Sequence, residues 1–364
     1  MKNVAVFFGG KSVEHEISCI TGAITLNSLR KGNYNPIPIY VDYDNSWWTG
    51  ESLFDIETHA NLNFKRLKRV CLISGSNVLF TVKGKKLKES CSISVAVNCM
   101  HGENGEDGSL CGLLTLCGIP LANADILGSS VAIDKSASKI FFNGLNVKSL
   151  PCITLTSSID LSKAESLGFP LIVKPKNGGS SIGVSKAHDV KQLERAVNEG
   201  LRFCEKVVVE KCLENFVEIN VGVYRNSKNQ IITSPCEKPC SANEFLTFED
   251  KYSNGKREFP AKIPKNIADK IKNYAERCYE GLSLEGIVRM DFMVKEQSVY
   301  INEINTVPGS LAYYLFCKTT SSFCVLLEDI ISRAEKRFAV KESLQRKFAS
   351  SVLQLKGVKS AKRL

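Results

Sequence analysis

The polarity pattern of this chain opens with Asn3-Val-Ala-Val-Phe-Phe-Gly-Gly10, an apolar run that ends in glycines and gives way to a polar turn and a helical period. That order predicts a buried strand feeding a helix. A second strand is expected over residues 34–41 after the Lys31-Gly32-Asn33 turn, so the chain begins as a doubly wound α/β unit. Residues 44–89 are mixed and strand-poor, and read as an excursion from that first unit. Residues 94–100 form the next expected buried strand, which runs into His101-Gly-Glu-Asn-Gly-Glu-Asp-Gly108. Function gathers in such loops at strand carboxyl ends. Beyond Pro120 the pattern predicts a helix over 132–142, a strand over 169–175 closed by a glycine-rich loop, and strands over 206–210 and 218–224. An amphipathic helix over 267–279 and a pair of late strands, 286–294 and 299–304, follow, with no internal repeat or low-complexity linker.

Composition narrows this picture. With 364 residues and 43% hydrophobic content, the chain can bury a sizeable core spread over two or three domains. No apolar run approaches the ~20 residues that cross a bilayer, and a soluble, cytoplasmic protein is expected. Fourteen cysteines raise the question of disulfides or zinc. No Cys-x-x-Cys pair occurs, and the tightest pairs, Cys236/Cys240 and Cys111/Cys117, have no matching pair or nearby histidine, so buried reduced thiols are the better reading. The net charge of +10 is uneven: residues 341–364 hold seven Lys/Arg against the single acid Glu342, and therefore +6 of the total. A sparse basic tail of this kind is usually solvated, so neither nucleic acid nor a membrane surface is an expected partner.

The candidate chemistry has four parts. Gly9-Gly-Lys-Ser12 has the outline of a phosphate loop, but Ala5 stands where Gly-x-x-x-x-Gly-Lys-Ser needs its first glycine, and the loop is too short to wrap two phosphates. The run Lys174-Pro-Lys-Asn-Gly-Gly-Ser-Ser-Ile-Gly183 is stronger, since glycines let backbone approach an anion and Lys174 sets a cation beside it. Val207-Val-Val-Glu-Lys-Cys-Leu213 adds an acid and a lysine at a strand end, suited to an adenine edge and a ribose. Most informative are Val288-Arg-Met-Asp-Phe292 and Tyr300-Ile-Asn-Glu-Ile-Asn-Thr-Val-Pro-Gly309. Period-two alternation puts Arg289 with Asp291 on one face, and Glu303 with Asn305 on one face of the next strand. Such a cluster is costly unless a cation or substrate compensates it, and hard oxygens suit Mg²⁺ on nucleotide phosphates; a surface salt-bridge ladder is the bland alternative.

In this order the motifs resemble those of the D-alanine-D-alanine ligases of the ATP-grasp superfamily: Gly9-Gly-Lys-Ser-Val-Glu-His-Glu-Ile-Ser18, His101-Gly-x-x-Gly-Glu-Asp-Gly108, Asp134-Lys135, Ile172-Val-Lys-Pro175, Gly179-Ser-Ser-Ile-Gly183, Glu210-Lys211, Lys251-Tyr252, Arg289-Met-Asp291 and Glu303-Ile-Asn-Thr-Val-Pro-Gly309. The resemblance runs from Val4 to about Ala334 and implies an α/β and α+β ATP-grasp fold. It implies a Rossmann-like domain at 1–128, clasp domains at 129–223 and 224–338 with a mobile lid over 245–257, and a basic tail at 339–364 outside the likeness. It also implies ATP and two Mg²⁺ (or Mn²⁺), a homodimer, and peptidoglycan precursor synthesis. Lys135, Lys174, Glu210, Lys211, Leu213, Glu218 and Lys251 become nucleotide contacts, and Asp291, Glu303 and Asn305 the metal ligands. Glu14 would hold the first D-alanine's ammonium, linked through Ser180 to Tyr252, while Arg289 and the Gly309 amide steady the oxyanion. His101, Tyr314 and Leu315 complete the implied substrate contacts.

Two features depart from the family pattern. Tyr314 stands where many members place a serine before the leucine that binds the second substrate's carboxylate, and Cys111 and Thr115 replace more usual polar residues. The acceptor is therefore the open point, with D-serine or D-lactate as alternatives; Lys251-Tyr252 argues against D-lactate. A nucleotide-binding protein without catalysis is the reading from another class, and the presence of every charged position needed for turnover opposes it.

Overall fold

The computed structural model describes residues 1–159, 161–239 and 257–347. Strand β1 (Lys2–Gly9), helix α1 (His15–Leu29) and β2 (Tyr34–Val41) form the expected opening, with β1 parallel to β2 and to β7 (Val95–Asn98). The stretch 44–89 corrects the expectation. It supplies β3 (Trp47–Thr49), β4 (Lys68–Cys71), β5 (Val78–Lys83) and β6 (Lys86–Ser92), which extend the sheet in the order β6-β5-β4-β3-β2-β1-β7. These strands escaped the pattern because β3 is three residues long and β6 is exposed along nearly its whole length. Neither face of such an antiparallel edge need alternate in polarity.

After α2 (Ser109–Leu116) the expected single helix over 132–142 is two helices, α3 (Ile126–Ile133) and α4 (Lys135–Gly144). Asp134 breaks them: with extended backbone, its carboxylate accepts from the amides of Ser136 (3.0 Å) and Ala137 (2.9 Å) and caps α4. The second sheet joins β8 (Cys152–Leu155), β9 (Leu171–Pro175), β10 (Ser185–Ala187) and β11 (Val207–Lys211) in the antiparallel order β10-β9-β11-β8, with α5 (Ser162–Glu165) and α6 (Val190–Gly200) beside it.

The third sheet has the order β13-β12-β16-β17, formed by β12 (Val217–Arg225), β13 (Ile231–Thr233), β16 (Val288–Lys295) and β17 (Ser298–Asn305). A small ladder of β14 (Lys238–Pro239) and β15 (Arg257–Glu258) stands beside it, and α7 (Lys265–Gly281) covers its apolar face. The expected boundary after residue 223 falls inside β12, which pairs with β16 over residues 217–223. Helix α8 (Thr320–Ser343) returns to the first sheet, where Phe323, Leu327, Ile330 and Ile331 join Val4, Val6, Phe8 and Leu26 in one core. Each such buried side chain contributes about 1.5–3 kcal/mol, so the chain's far end fastens the N-terminal unit. No described helix is long and apolar enough to cross a membrane.

Candidate active site

Two adjoining cavities lie where the loops after β1, β7 and β9 meet β16 and β17. They share Lys135, Glu303 and the Gly178–Ser180 stretch of the glycine-rich loop. Glu14, His101, Glu106, Arg289, Asn305 and Gly309 line the first cavity. Lys174, Glu210, Lys211, Leu213 and Glu218 line the second. Residues as distant in sequence as Glu14 and Gly309 are thus brought to one place.

The glycine-rich loop touches the N-terminal unit directly. Ser180, with φ 53°, donates its hydroxyl to Glu14 Oε1, and both residues are buried. Gly179 lets the two approach closely, because a Cβ would stand 3.0 Å from both Glu14 carboxylate oxygens and force that carboxylate to shift.

The floor of the second cavity is a buried charge triad. Glu210 receives Lys139 Nζ on Oε1 at 3.2 Å and Lys174 Nζ on Oε2 at 3.0 Å. Lys139 also donates to the Leu150 carbonyl (2.9 Å), and Lys174 to Asn302 Oδ1 (3.2 Å). Burial alone would neutralise these groups. The pairing outweighs it: Glu210 is held below the usual carboxylate range by Lys174 and Lys139, and Lys174 above its usual value by Glu210 and Glu303. Lys135, whose ammonium donates to the Gly178 carbonyl (2.5 Å), is pushed down by burial. Lys211 lines the same cavity, but its ammonium donates to the carbonyls of Gly168 (2.7 Å) and Phe169 (2.8 Å).

On β16, Arg289 grips Asp291 with two parallel bonds, Nε to Oδ1 at 2.7 Å and a terminal nitrogen to Oδ2 at 2.8 Å. Asn305 donates to Asp291 Oδ2 at 3.0 Å, and Glu303 pairs across the ladder with Asp291. Two carboxylates and an amide oxygen are a hard-oxygen set, so this donor chemistry fits a divalent cation. In this structure the guanidinium holds the charge of Asp291, which lies beneath it. Among the described residues no group of three His, Cys, Asp or Glu forms a metal cluster.

On the facing side, His101 is buried and its pKa falls to about 4, from burial and then from the Arg289 charge. Glu106 moves the other way, to about 7, chiefly by burial and then by the Glu14 charge, although the amides of Gly102 and Val307 (both 3.0 Å) donate to it. For a carboxyl with a raised folded pKa, stability is full below the unfolded value near 4.5 and is lost as pH rises through about 7. In metal-free protein, Glu106→Gln should therefore gain on the unmodified chain between pH 4.5 and 7 and no further above, as read by urea unfolding across pH. A constant difference would show that this carboxyl titrates normally.

Tyr314 does not line either cavity. Its phenol pairs with Arg289, and the Arg257 guanidinium lies 4.6 Å above its ring. The Leu315 side chain is 1% exposed and sits in the first core, so the structure does not bring it to the cavities. Lys251 and Tyr252, and the lid expected over 245–257 except Arg257, lie outside the described residues, as does residue 348 onward of the basic tail.

Three residues of the site were missed as site residues in the sequence. Asn302 faces Lys174 because a bulge interrupts the ladder: Asp291 pairs with Glu303 but Phe292 with Ile301. Two consecutive polar residues, Asn302-Glu303, in an alternating strand were the available signal. Lys139 was signalled only by a charge three positions before the buried Phe142 on α4. Glu106 stood in a quoted motif, and nothing local marks its burial. Every described cysteine is a free thiol, most of them buried.

The chain matches two family models, "D-ala D-ala ligase N-terminus" over residues 3–124 and "D-ala D-ala ligase C-terminus" over residues 144–334. It is 36% identical over 357 residues to a D-alanine–D-alanine ligase of Thermosipho melanesiensis, covering 94% of this chain and 96% of the relative. A D-alanine–D-alanine ligase of Clostridium acetobutylicum is 32% identical over 354 residues, with 92% and 98% coverage. Among solved structures, the D-alanine-D-alanine ligase of Helicobacter pylori superposes with a TM-score of 0.74 at 28% identity, covering 90% of this chain and 98% of that one. The VanG D-Ala:D-Ser ligase of Enterococcus faecalis shares the fold, with a TM-score of 0.77 at 22% identity and 92% and 99% coverage.

Proposed function

We propose that this chain, which belongs to the D-alanine–D-alanine ligase family, uses ATP to join two D-alanines into D-alanyl-D-alanine for peptidoglycan precursor synthesis. The observation that carries this reading is the shared wall between the two cavities. Lys135, Ser180 and Glu303 border a lysine-floored cavity suited to a triphosphate and, equally, a cavity holding Glu14, Arg289 and Gly309.

The reaction needs an activated acyl group, because a carboxylate is a poor acylating agent. The carboxylate of the first D-alanine attacks the γ-phosphorus of ATP, ADP leaves, and an acyl phosphate forms. The amine of the second D-alanine then adds to that carbonyl, loses a proton, and phosphate departs. Lys174 and Lys135 balance phosphate charge, Lys211, Leu213 and Glu218 border the nucleotide, and Glu14, steadied by Ser180, takes the first substrate's ammonium. Arg289 and the Gly309 amide face the developing oxyanion. Mg²⁺ (or Mn²⁺) held by Asp291, Glu303 and Asn305 would neutralise charge on the transferring phosphoryl group. His101 borders the acceptor, and Tyr314 shapes its pocket through Arg289.

The same reading includes an N-terminal α/β unit fastened by α8, two clasp units divided before β12, a homodimer and a cytoplasmic location. It also assigns Lys251 to the phosphates, Tyr252 to the Glu14–Ser180 link, and residues 245–257 to a lid that excludes water from the acyl phosphate. D-Serine remains the alternative acceptor, on the single observation that Tyr314 replaces a serine. Phosphate release measured with ATP and D-alanine alone, or with D-serine or D-lactate added as acceptor, tests the reading. D-alanine-dependent release with D-alanyl-D-alanine as product is expected. Release independent of D-alanine, or dipeptide only with another acceptor, would overturn it.

A further inference from the structure

We propose that Thr21 is a positioning residue for ligation, its one hydroxyl tying the His101 imidazole to the Ser310 amide and so setting the acceptor-side wall. This inference rests on the proposed acceptor roles of His101 and Gly309. Three observations lead to it.

First, Thr21 is buried on α1, and its Oγ1 lies 3.0 Å from His101 Nε2 and 3.0 Å from the Ser310 nitrogen. These partners come from distant parts of the chain, the loop after β7 and the segment after β17. Second, the imidazole fixes the donor. Its hydrogen bond to the Val307 backbone favours the protonated ring, so a carbonyl takes the hydrogen of the other ring nitrogen. In the neutral ring Nε2 is then the acceptor, and the Thr21 hydroxyl, which takes the Ser310 amide on its oxygen, gives its proton to Nε2. The carbonyl and the hydroxyl together hold a single tautomer of a neutral imidazole at the cavity wall. Third, Ser310, Leu311 and Ala312 have φ values of 52°, 49° and 47°, a left-handed turn of three consecutive residues with side chains. L-residues visit this region singly rather than in runs, so the surroundings must hold the turn. Leu311 and Ala312 are buried, the Leu311 amide donates to the Pro308 carbonyl at 2.7 Å, and Thr21 takes the first amide of the turn. Gly309, whose amide is needed at the oxyanion, immediately precedes that turn. Thr21 touches neither substrate nor nucleotide pocket, and acts through these two partners.

The test is Thr21→Val, which keeps the shape and removes the hydroxyl, beside Thr21→Ser, which keeps the hydroxyl. Turnover of D-alanine, KM for ATP, thermal unfolding and ¹⁵N resonances of the His101 ring are read on the full chain. Leaving the buried His101 nitrogen and the part-buried Ser310 amide without this partner should lower turnover about 10- to 100-fold in the valine protein, with KM for ATP within about twofold. Its Nε2 resonance should lose the signature of a hydrogen-bonded acceptor. The serine protein should keep both that signature and turnover within about threefold. A valine protein with an unchanged His101 resonance and unchanged turnover overturns the proposal. Should the valine protein fail to fold, the serine protein decides: loss of the His101 signature there sinks the idea, and its retention upholds it. If the unmodified chain makes no dipeptide, the ligase reading fails, while the His101 resonances still report on Thr21.

Discussion

Arg289→Ala should bind ATP as tightly as the unmodified protein and form dipeptide about 100- to 1000-fold more slowly, the usual effect of losing one oxyanion donor. The argument is geometric. Arg289 borders the cavity shared with Glu14 and Gly309 and not the lysine-floored one, so the substitution leaves the lining of the nucleotide cavity in place. Its planar fork makes two parallel bonds to Asp291, and the Tyr314 phenol also pairs with it. That frame aims the guanidinium, and lysine cannot reproduce the fork, so Arg289→Lys should recover little. Calorimetric ATP titration beside a dipeptide assay checks this. Normal dipeptide output from the alanine protein would refute the oxyanion role, and lost ATP binding would assign Arg289 to the nucleotide instead.

The second large effect concerns Glu210. Substituting Glu210→Gln leaves the buried ammonium of Lys139 and the partly buried one of Lys174 without their common counterion, and breaking such a pair costs about 3–5 kcal/mol of folding free energy. Because the folded Glu210 titrates below its ordinary value, this stability is present above about pH 4.5 and is lost as pH falls through the folded pKa. The gap between the two proteins should therefore be widest near neutrality and close in acid. Adding Lys139→Met to Glu210→Gln removes one uncompensated charge and should restore part of the loss. Urea unfolding of the single and double variants decides this. Equal stability of Glu210→Gln and the unmodified chain would show that the triad contributes nothing net.

How much was legible in the sequence depended on whether the governing interaction was local. Alternation in Val288-Arg-Met-Asp-Phe292 settles which side chains share a face, because period two is a property of the backbone. The pairing of Arg289 with Asp291 follows from it. The opening β1-α1-β2 unit was readable for the same reason: its strands are buried on both faces and its glycines mark the turn. Asp134 was also local, but its capping role depended on one residue's backbone angle, so two helices read as one.

The chain alone therefore determined the strand and helix periods, the paired faces of β16 and β17, and the presence of lysines and acids enough for phosphate chemistry. Only the tertiary structure decided that Lys139 reaches Glu210, that a bulge turns Asn302 into the cleft, and that α8 closes over the first sheet. Those contacts join residues far apart in the chain, and their free energy comes from burial and desolvation. Neither quantity is a property of any single segment.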